Sequence, residues 1–217
     1  MRLYHFAPSQ FALSAIALRR LKVARINELN DPFELLAVNL ADREHRKAFR
    51  YLKDELNKTK GILCFTKFWE NPVIWGHYAD KHTGIALGFE VPPHIAAEAI
   101  YADEPLAIPI DPVTNKPNPD EELMDKLVRT KFSDWKYEQE WRVFVQLDHS
   151  SVEAGMYFYD FSDHLQLAEV ILGPRCAIPI TKVRSLVSDF KPGVEVRQSR
   201  IAFQSFRVVE NKEASRG

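Results

Sequence analysis

Several features that mark other protein classes are scarce or missing in this 217-residue chain. It has 2 cysteines, far apart in sequence, so we expect neither a disulfide framework nor a zinc knuckle. Its 8 glycines form no phosphate loop and no Rossmann fingerprint, and the serine-hydrolase elbow and the zincin motif are also missing. No apolar run approaches the roughly 20 residues that cross a bilayer, and no export signal is visible. The sequence therefore predicts a cytoplasmic protein without a membrane partner.

The charge balance narrows the range of partners. The formal net charge is -1, which gives no general attraction to polyanions and argues against indiscriminate nucleic-acid binding. A nucleic acid held in a local basic groove stays open. The length fits one domain, which we place over residues 1–210, followed by a disordered tail over residues 211–217.

Hydrophobic periodicity predicts a mixture of strands and helices without strict alternation. Strands are expected at residues 2–7, 22–26, 61–68, 84–91, 138–147, 156–161, 168–172, 194–196 and 203–209. Helices are expected at residues 9–21, 41–58, 73–82, 94–100, 118–135 and 181–190, and a proline-rich loop at residues 103–119. This order favours an α+β fold with mostly antiparallel sheets and flanking helices over a doubly wound parallel sheet.

The densest group of charged residues lies at residues 135–145, within the longest alternating pattern of the chain. A side-chain period of two places Trp141 and Val143 on a dry face, and Glu138, Glu140 and Arg142 on a wet one. Two like charges on neighbouring positions of one face repel, so keeping both costs stability unless cations or a function compensate. The pattern is compatible with plain ion pairing or with a catalytic pair of acids.

Two further segments offer candidate ligand contacts. On the helix predicted at residues 73–82, Trp75, Tyr78 and His82 share a face, typical of an amphipathic core edge but also suited to stacking on a flat ring. His77 and His82 are five residues apart, which misses the spacing of helical zinc ligands, so no metal site is expected. His5, in the first strand, is either a core residue or a donor to a ligand.

Six motifs stand out along the chain: Leu-Tyr-His-Phe at 3–6, Leu-Asn-Asp-Pro-Phe-Glu at 29–34, Cys-Phe-Thr at 64–66, Trp-Gly-His-Tyr-Ala-Asp-Lys-His-Thr-Gly-Ile at 75–85, Trp-Lys-Tyr-Glu-Gln-Glu-Trp-Arg at 135–142 and Ile-Leu-Gly-Pro-Arg at 171–175. In order and spacing, over residues 3–190, they resemble a large bacterial family of uncharacterised domains. That family has been placed with the ADP-ribosyltransferase-like fold, and relatives are associated with toxin and phage-defence settings.

The resemblance implies an ADP-ribosyltransferase-like arrangement with NAD as the substrate. In such enzymes a first-strand histidine holds the ribose and nicotinamide, which matches His5. The nicotinamide half is supported by a hydroxyl or an aromatic ring, for which Thr66, Trp75 and Tyr78 are candidates. Thr66 departs from the family pattern because it stands outside a Ser-Thr-Ser run.

The same resemblance assigns the two late glutamates to catalysis. Glu140 would stabilise the positive charge that develops on the ribose, and Glu138 would orient the nucleophile or accept its proton. Arg142, Lys131 and Arg25 are candidates for contacting the pyrophosphate.

The leading expectation is ADP-ribosyl transfer to a macromolecular target, or NAD hydrolysis, in a toxin or phage-defence context with an antitoxin or defence-system partner. One alternative is a non-catalytic nucleotide-sensing or interaction module of the same fold. Another is a metal-dependent nuclease that uses Asp31, Glu138 and Glu140. Without a functional role, the segment of residues 30–34 is by default a turn.

Overall fold

Helices and strands follow one another irregularly, as the patterning predicts. The computed structural model describes residues 1–114, 117–189 and 193–216. Its helices are α1 (Ser9–Leu18), α2 (Arg43–Thr59), α3 (Pro72–Tyr78), α4 (Glu121–Arg129), α5 (Ile180–Ser188) and α6 (Lys212–Arg216). Its strands are β1 (Arg2–Ala7), β2 (Arg20–Arg25), β3 (Lys60–Thr66), β4 (Ile85–Glu90), β5 (Ala96–Glu98), β6 (Ile100–Ala102), β7 (Thr130–Phe132), β8 (Glu140–Gln146), β9 (Tyr157–Asp160), β10 (Gln166–Leu172), β11 (Glu195–Ile201) and β12 (Val208–Glu210).

A ten-stranded sheet organises the molecule. Its path runs β12-β11-β10-β4-β1-β3-β2-β9, while β8 pairs with β3 and with β5 off that path. The β10–β11 pair is parallel, and the other pairs described in this sheet are antiparallel. A separate two-stranded sheet joins β6 and β7 in parallel. The α+β class with a mostly antiparallel sheet and flanking helices is therefore confirmed.

The sheet buries both of its faces, because the central strands are apolar on both sides. The large core contains Leu63, Leu87 and Val143, and the buried Ile16 of α1 and Val183 of α5 pack against the same cluster. Two smaller clusters also form. One is built around Trp75 of α3, and the other joins Phe49 of α2 to α4 and the segment of residues 26–40.

Helix α3 ends four residues earlier than the sequence predicts. Asp80, Lys81 and His82 all have positive φ, at 43°, 53° and 74°, so the chain leaves the right-handed helical region there. The turn is stabilised by the amide of His82, which donates to Trp75 O at 3.1 Å, and by the amide of Gly84, which donates to Ala79 O at 2.8 Å. His82 consequently does not share a helical face with Trp75.

Other boundaries also differ from the prediction. The helix expected at residues 94–100 is wrong, because most of that segment forms β5 and β6 and pairs with β8 and β7. Helix α4 begins after Asp120, whose side chain accepts the amide of Leu123, and it ends at Arg129 where β7 starts. The segment Ser133–Glu138 is a 3₁₀ helix, and Gln139 takes φ 44°, so strand β8 begins at Glu140 instead of Glu138.

The last described residues of the chain form a short helix. Lys212–Arg216 forms α6, and the amide of Gln198 in β11 donates to Ser215 Oγ at 3.1 Å. Residue 217 and residue 190, the predicted end of the last helix, lie outside the described residues. Among the residues described, no helix is both long and apolar enough to cross a bilayer.

Candidate functional site

The candidate site lies where the sheet splits beside β3. β1 pairs with one end of β3, at Tyr4↔Thr66, whereas β2 pairs with the other end, at Arg25↔Gly61. Because the two strands meet β3 at opposite ends, they diverge, and a cavity of about 240 Å³ opens over the middle of β3. Its apolar walls include members of all three hydrophobic clusters, among them Phe65 of the large core, Ile74 of the cluster around α3 and Ile62 of the third cluster.

His5 occupies the gap in strand pairing and lines the cavity. Its Nδ1 lies 3.0 Å from the carbonyl oxygen of Cys64. A carbonyl only accepts, so Nδ1 carries the proton and Nε2 of the neutral ring remains an acceptor. Burial lowers the pKa of His5 and outweighs the opposing effect of the Cys64 bond. The ring is therefore neutral at physiological pH and has one nitrogen available to a hydroxyl of a ligand.

Arg142 connects strand β8 to the loop of residues 30–34. Its guanidinium donates to both carboxylate oxygens of Glu34, at 2.5 and 3.0 Å, and to Glu140 Oε2 at 3.1 Å. Arg142 is 0% exposed, and Glu34 is 1% exposed. Burial raises the pKa of Glu34 more than Arg142 lowers it. The face that the sequence predicts to be wet is thus enclosed, because this loop and the Val128 carbonyl cover Arg142.

Lys131, at the middle of β7, joins the two catalytic candidates. Its Nζ lies 2.5 Å from Glu138 Oε2 and 3.1 Å from Glu140 Oε2. Burial would lower the pKa of Lys131, but Glu140 and Glu138 raise it above its ordinary value. Burial likewise acts to raise the pKa of Glu140, yet the charges of Arg142 and Lys131 outweigh it and the pKa is lowered. Glu140 is therefore an ionised carboxylate at a buried position.

The strand register explains why these groups converge. Thr66 is opposite Tyr4 of β1 on one side and opposite Glu140 of β8 on the other. His5 follows Tyr4 directly, so the first-strand imidazole and the late carboxylate lie on strands that flank the same residue. The left-handed Gln139 then turns the chain so that Glu138 also reaches the cavity. Of the seven site residues proposed from the sequence, all except Trp75 line this cavity, namely His5, Thr66, Tyr78, Glu138, Glu140 and Arg142.

Tyr78 anchors the helix α3 side of the cavity. Its hydroxyl donates to Glu138 Oε1 and accepts from Asn30 Nδ2, the latter at 2.6 Å. Burial, followed by the hydrogen bond to Glu138, raises the pKa of Tyr78, so the phenol stays protonated. Tyr78 lines the cavity, as does Thr66, whose hydroxyl donates to Phe68 O at 3.3 Å.

Two of the sequence assignments do not fit these positions. Trp75 is fully buried in the cluster around α3, where its Nε1 donates to Trp69 O at 2.6 Å, and it does not line the cavity. Arg142 lines the cavity, but both it and Lys131 are engaged by buried carboxylates, so neither is available to a pyrophosphate. Arg25 is 41% exposed in its side chain and pairs with Glu28 at the cavity edge.

Sequence reasoning missed the role of Glu34 and Asn30. The segment of residues 30–34 does form a turn, in which Asp31 Oδ1 accepts the amide of Phe33 at 2.8 Å. Glu34 and Asn30 line the cavity, whereas Asp31 does not. The sequence offered one signal for Glu34, namely an acid beside an Asn-Asp-Pro turn within a motif of the resemblance. Its buried partner Arg142 lies 108 residues away in sequence, so the pairing could not be recognised from local sequence.

The site combines an apolar cavity with a charge cluster, which we define as Glu34, Lys131, Glu138, Glu140 and Arg142. Three carboxylates face two cations, so the cluster holds one excess negative charge when all are ionised. In the described part of the chain no group of three His, Cys, Asp or Glu could hold a metal ion. The arrangement suits stabilisation of a positive charge that develops inside the cavity.

Comparison with known proteins gives one partial match. Residues 74–143 match the model of a family described as a protein of unknown function, DUF2971. The matched segment extends from α3 into β8 and includes Tyr78, Lys131, Glu138, Glu140 and Arg142, while His5 and Glu34 lie outside it. Comparison with the curated proteins and with the solved structures gave no match. The chain is therefore similar to an uncharacterised domain family over this segment, and the segment contains most of the charge cluster.

Proposed function

We propose that this protein uses NAD as a substrate, cleaves the bond between nicotinamide and ribose, and transfers ADP-ribose to a macromolecular target or to water. The ADP-ribosyltransferase-like arrangement and the toxin or phage-defence context belong to this proposal. The observation that carries it is that His5, Glu138 and Glu140, which lie far apart in sequence, line one cavity. The α+β class by itself does not require a first-strand imidazole to lie beside both late acids.

The size of the cavity suits part of the substrate. Its volume of about 240 Å³ is below the roughly 300–1,000 Å³ of pockets that enclose a whole drug-sized ligand. The nicotinamide and its ribose would enter, and the pyrophosphate and adenosine would lie outside. Two cavity-lining residues, Lys22 and Glu28, form an ion pair of 3.0 Å, and Arg25 pairs with the same Glu28. Cations are therefore present where the pyrophosphate would extend out of the cavity.

The chemistry assigns one task to each group. Nicotinamide departs with the electron pair of the glycosidic bond, which leaves positive charge on the ribose. The ionised Glu140 stabilises that charge, and His5 Nε2 accepts a hydrogen bond from a ribose hydroxyl. The nucleophile then forms a bond to the anomeric carbon and gives its proton to Glu138. Lys131 and Arg142 act as positioning residues because their charged groups hold the carboxylates.

Nicotinamide release by the purified full chain tests the proposal. Glu140→Gln is expected to reduce the rate by about 100-fold or more, the usual effect of removing a group that stabilises transition-state charge. The matched control is Glu169→Gln, because Glu169 is also a buried glutamate between two cations but does not line the cavity. The control is expected to stay within about threefold of the wild type. Equal rates in wild type and Glu140→Gln would remove the catalytic assignment.

A second candidate is a binding module without turnover. It is favoured by one observation: each carboxylate of the charge cluster already accepts from Lys131 or Arg142, as in a pre-formed and static pocket. This candidate predicts that NAD binds, measured by calorimetry, while no nicotinamide is released. It also predicts that Glu140→Gln leaves the affinity for NAD nearly unchanged.

A further inference from the structure

Helix α2 carries a concentration of positive charge that the cavity does not use. Residues 43–53 contain five lysines or arginines and one glutamate, in a chain whose formal net charge is -1. The inner face of the helix packs through Phe49, Leu52 and Leu56 against the cluster that also includes Ile62 of β3. The charged face is therefore held in place by a packed helix, which makes it a rigid surface.

The cations form a continuous line. Arg43, Arg46, Arg50, Lys53 and Asn57 follow one another at spacings of three and four residues, so they lie along one face of α2, which we call the basic stripe. At about 1.5 Å per residue the basic stripe is roughly 21 Å long, of which its four cations span roughly 15 Å and the uncharged Asn57 adds the rest. The cations are thus spaced along a line, which suits a linear row of anionic groups better than one compact anion.

Most of the basic stripe is not neutralised by the protein. The acids Glu44 and Glu55 lie towards the other side of the helix, where they pair with Lys47 and Lys58. Asp54 borders the basic stripe but, in the described residues, forms no ion pair with it. Within the same residues no ion pair involves Arg43, Arg50 or Lys53, whereas the guanidinium of Arg46 donates to the carbonyls of residues 40 and 41. Neighbouring like charges without counter-ions repel, which a bound polyanion would relieve.

The basic stripe leads to the cavity. Its last member, Asn57, accepts the amide of Asn27 at 2.9 Å through Oδ1. The residue after Asn27 is Glu28, which lines the cavity and pairs with Lys22 and Arg25. A linear ligand along α2 would therefore pass these two further cations and end at the opening over β3.

We propose that the basic stripe binds a single-stranded nucleic acid through its phosphates and directs one nucleotide of it to the cavity. The second half of this statement rests on the proposed function, since it makes the nucleic acid the macromolecular target. A phosphodiester chain offers the evenly spaced anions that a line of cations recognises. A single strand fits because an unpaired nucleotide can be presented at the opening of the cavity, whereas a duplex would first have to extrude it.

Fluorescence anisotropy with labelled oligonucleotides of about 20 nucleotides, one of RNA and one of DNA, tests the binding. The test variant is Arg43→Gln, Arg50→Gln, Lys53→Gln. The matched control removes the same charge from exposed lysines on three other helices, as Lys126→Gln, Lys182→Gln, Lys212→Gln. We expect the test variant to weaken binding of at least one oligonucleotide by about tenfold or more, and to reduce the slope of log affinity against log salt by about 2, at roughly 0.7 per lost phosphate contact. The control is expected to bind as the wild type does.

Three results would overturn the proposal. Wild-type protein that binds neither oligonucleotide is one, and equal weakening in the test and control variants is another. Stronger binding to phosphatidylserine vesicles or to polyglutamate than to either oligonucleotide is the third. Circular dichroism of both variants shows whether α2 is intact. A variant with lysine in place of glutamine at positions 43 and 50 (Arg43→Lys, Arg50→Lys) is expected to recover part of the affinity.

The experiment is separable from the test of NAD chemistry. Glu140→Gln leaves the basic stripe untouched, so it is expected to bind the oligonucleotide as the wild type does while its nicotinamide release falls by about 100-fold or more. Oligonucleotide binding by a protein without NAD turnover would uphold the basic stripe and remove the proposed function. Turnover of NAD without oligonucleotide binding would do the opposite.

Discussion

Two buried glutamates on separate strands of the same sheet each lie between two cations, but their surroundings differ. Glu140 of β8 lies between Lys131 and Arg142, and Glu169 of β10 lies between Arg2 and Arg197. Both carboxylates are almost fully buried. The cations differ, because Lys131 and Arg142 are 3% and 1% exposed in their side chains, whereas Arg2 and Arg197 are 36% and 28% exposed.

The difference lies in what surrounds the pair. Glu169 reaches a rim where its arginines keep contact with water, so its ion pairs are screened and serve stability only modestly. Glu140 and its cations are closed off, and the free space beside them is the cavity over β3. Water-excluded charges interact more strongly with a ligand but lose more when a partner is removed.

The largest effect is expected for Arg142→Ala. It leaves Glu34 without its cation and removes one of the two that hold Glu140, so the free energy of unfolding should fall by about 3–5 kcal/mol. Arg197→Ala, its counterpart, leaves Glu169 bound to Arg2 and should cost about 1 kcal/mol or less. Urea denaturation measures both. Similar losses in the two variants would mean that the enclosed cluster is no more demanding than the rim.

A tyrosine hydroxyl bonded to a buried glutamate in each region, Glu138 in the charge cluster and Glu169 in the other, gives a smaller contrast. Tyr78→Phe removes the donor to Glu138 and the acceptor of Asn30, and should cost about 1–3 kcal/mol. Tyr4→Phe removes a bond of 3.1 Å to Glu169, which keeps both arginines, and should cost about 1 kcal/mol or less. Thermal unfolding of both variants compares them, and a larger loss for Tyr4→Phe would contradict the ranking.

Acid pH distinguishes two carboxylates of the charge cluster from each other. The pKa of Glu140 is lowered below the ordinary 4.5, so its stabilising contribution is present above about 4.5 and is lost as the pH falls through its lower folded value. The stability advantage of the wild type over Glu140→Gln should shrink below pH 4.5. The pKa of Glu34 is raised, so the sign reverses: relative to Glu34→Gln the wild type should lose stability as the pH rises above about 4.5. Denaturation curves of the wild type and both variants, recorded on both sides of pH 4.5, measure the two stability differences. If both differences change in the same direction with pH, the two carboxylates do not lie in opposite environments.

The smallest expected effect is a flat pH profile. Burial lowers the pKa of His5 below 6.5, so its imidazole is already neutral where an ordinary histidine titrates. Nicotinamide release should therefore show no step near pH 6.5. A clear rise of rate centred there, absent in His5→Gln, would show that the imidazole titrates normally and that the cavity is wetter than its geometry indicates.

Periodicity predicted much of the fold because burial imposes it locally. The apolar runs of β3 and β4 and the amphipathic α2 lie within a few residues of their expected bounds. The errors fall where tertiary contacts override the pattern. The segment of residues 94–100 pairs with β8 and β7, and the left-handed turn of Asp80, Lys81 and His82 is fixed by hydrogen bonds back to α3.

The candidate site was predicted in part for a related reason. His5, Thr66, Tyr78, Glu138 and Glu140 were marked by unusual residue types in dense motifs, and all line the cavity. Trp75 does not line the cavity, and its sequence position could not show this, because a large aromatic residue in a helix fits a core and a ligand surface equally well. Glu34 escaped notice because a single acid in a turn gains meaning from its buried arginine alone.

The sequence by itself determined which residues alternate, which segments are apolar and where acids, imidazole and cations lie along the chain, because these follow from side-chain chemistry and local backbone geometry. Only the tertiary structure decided that β1 and β2 diverge from β3, that the face of Glu140 and Arg142 is enclosed, and that the basic stripe ends beside the cavity. These depend on strand register and on covering segments far away in sequence, and dielectric surroundings are set by such packing rather than by any residue's identity.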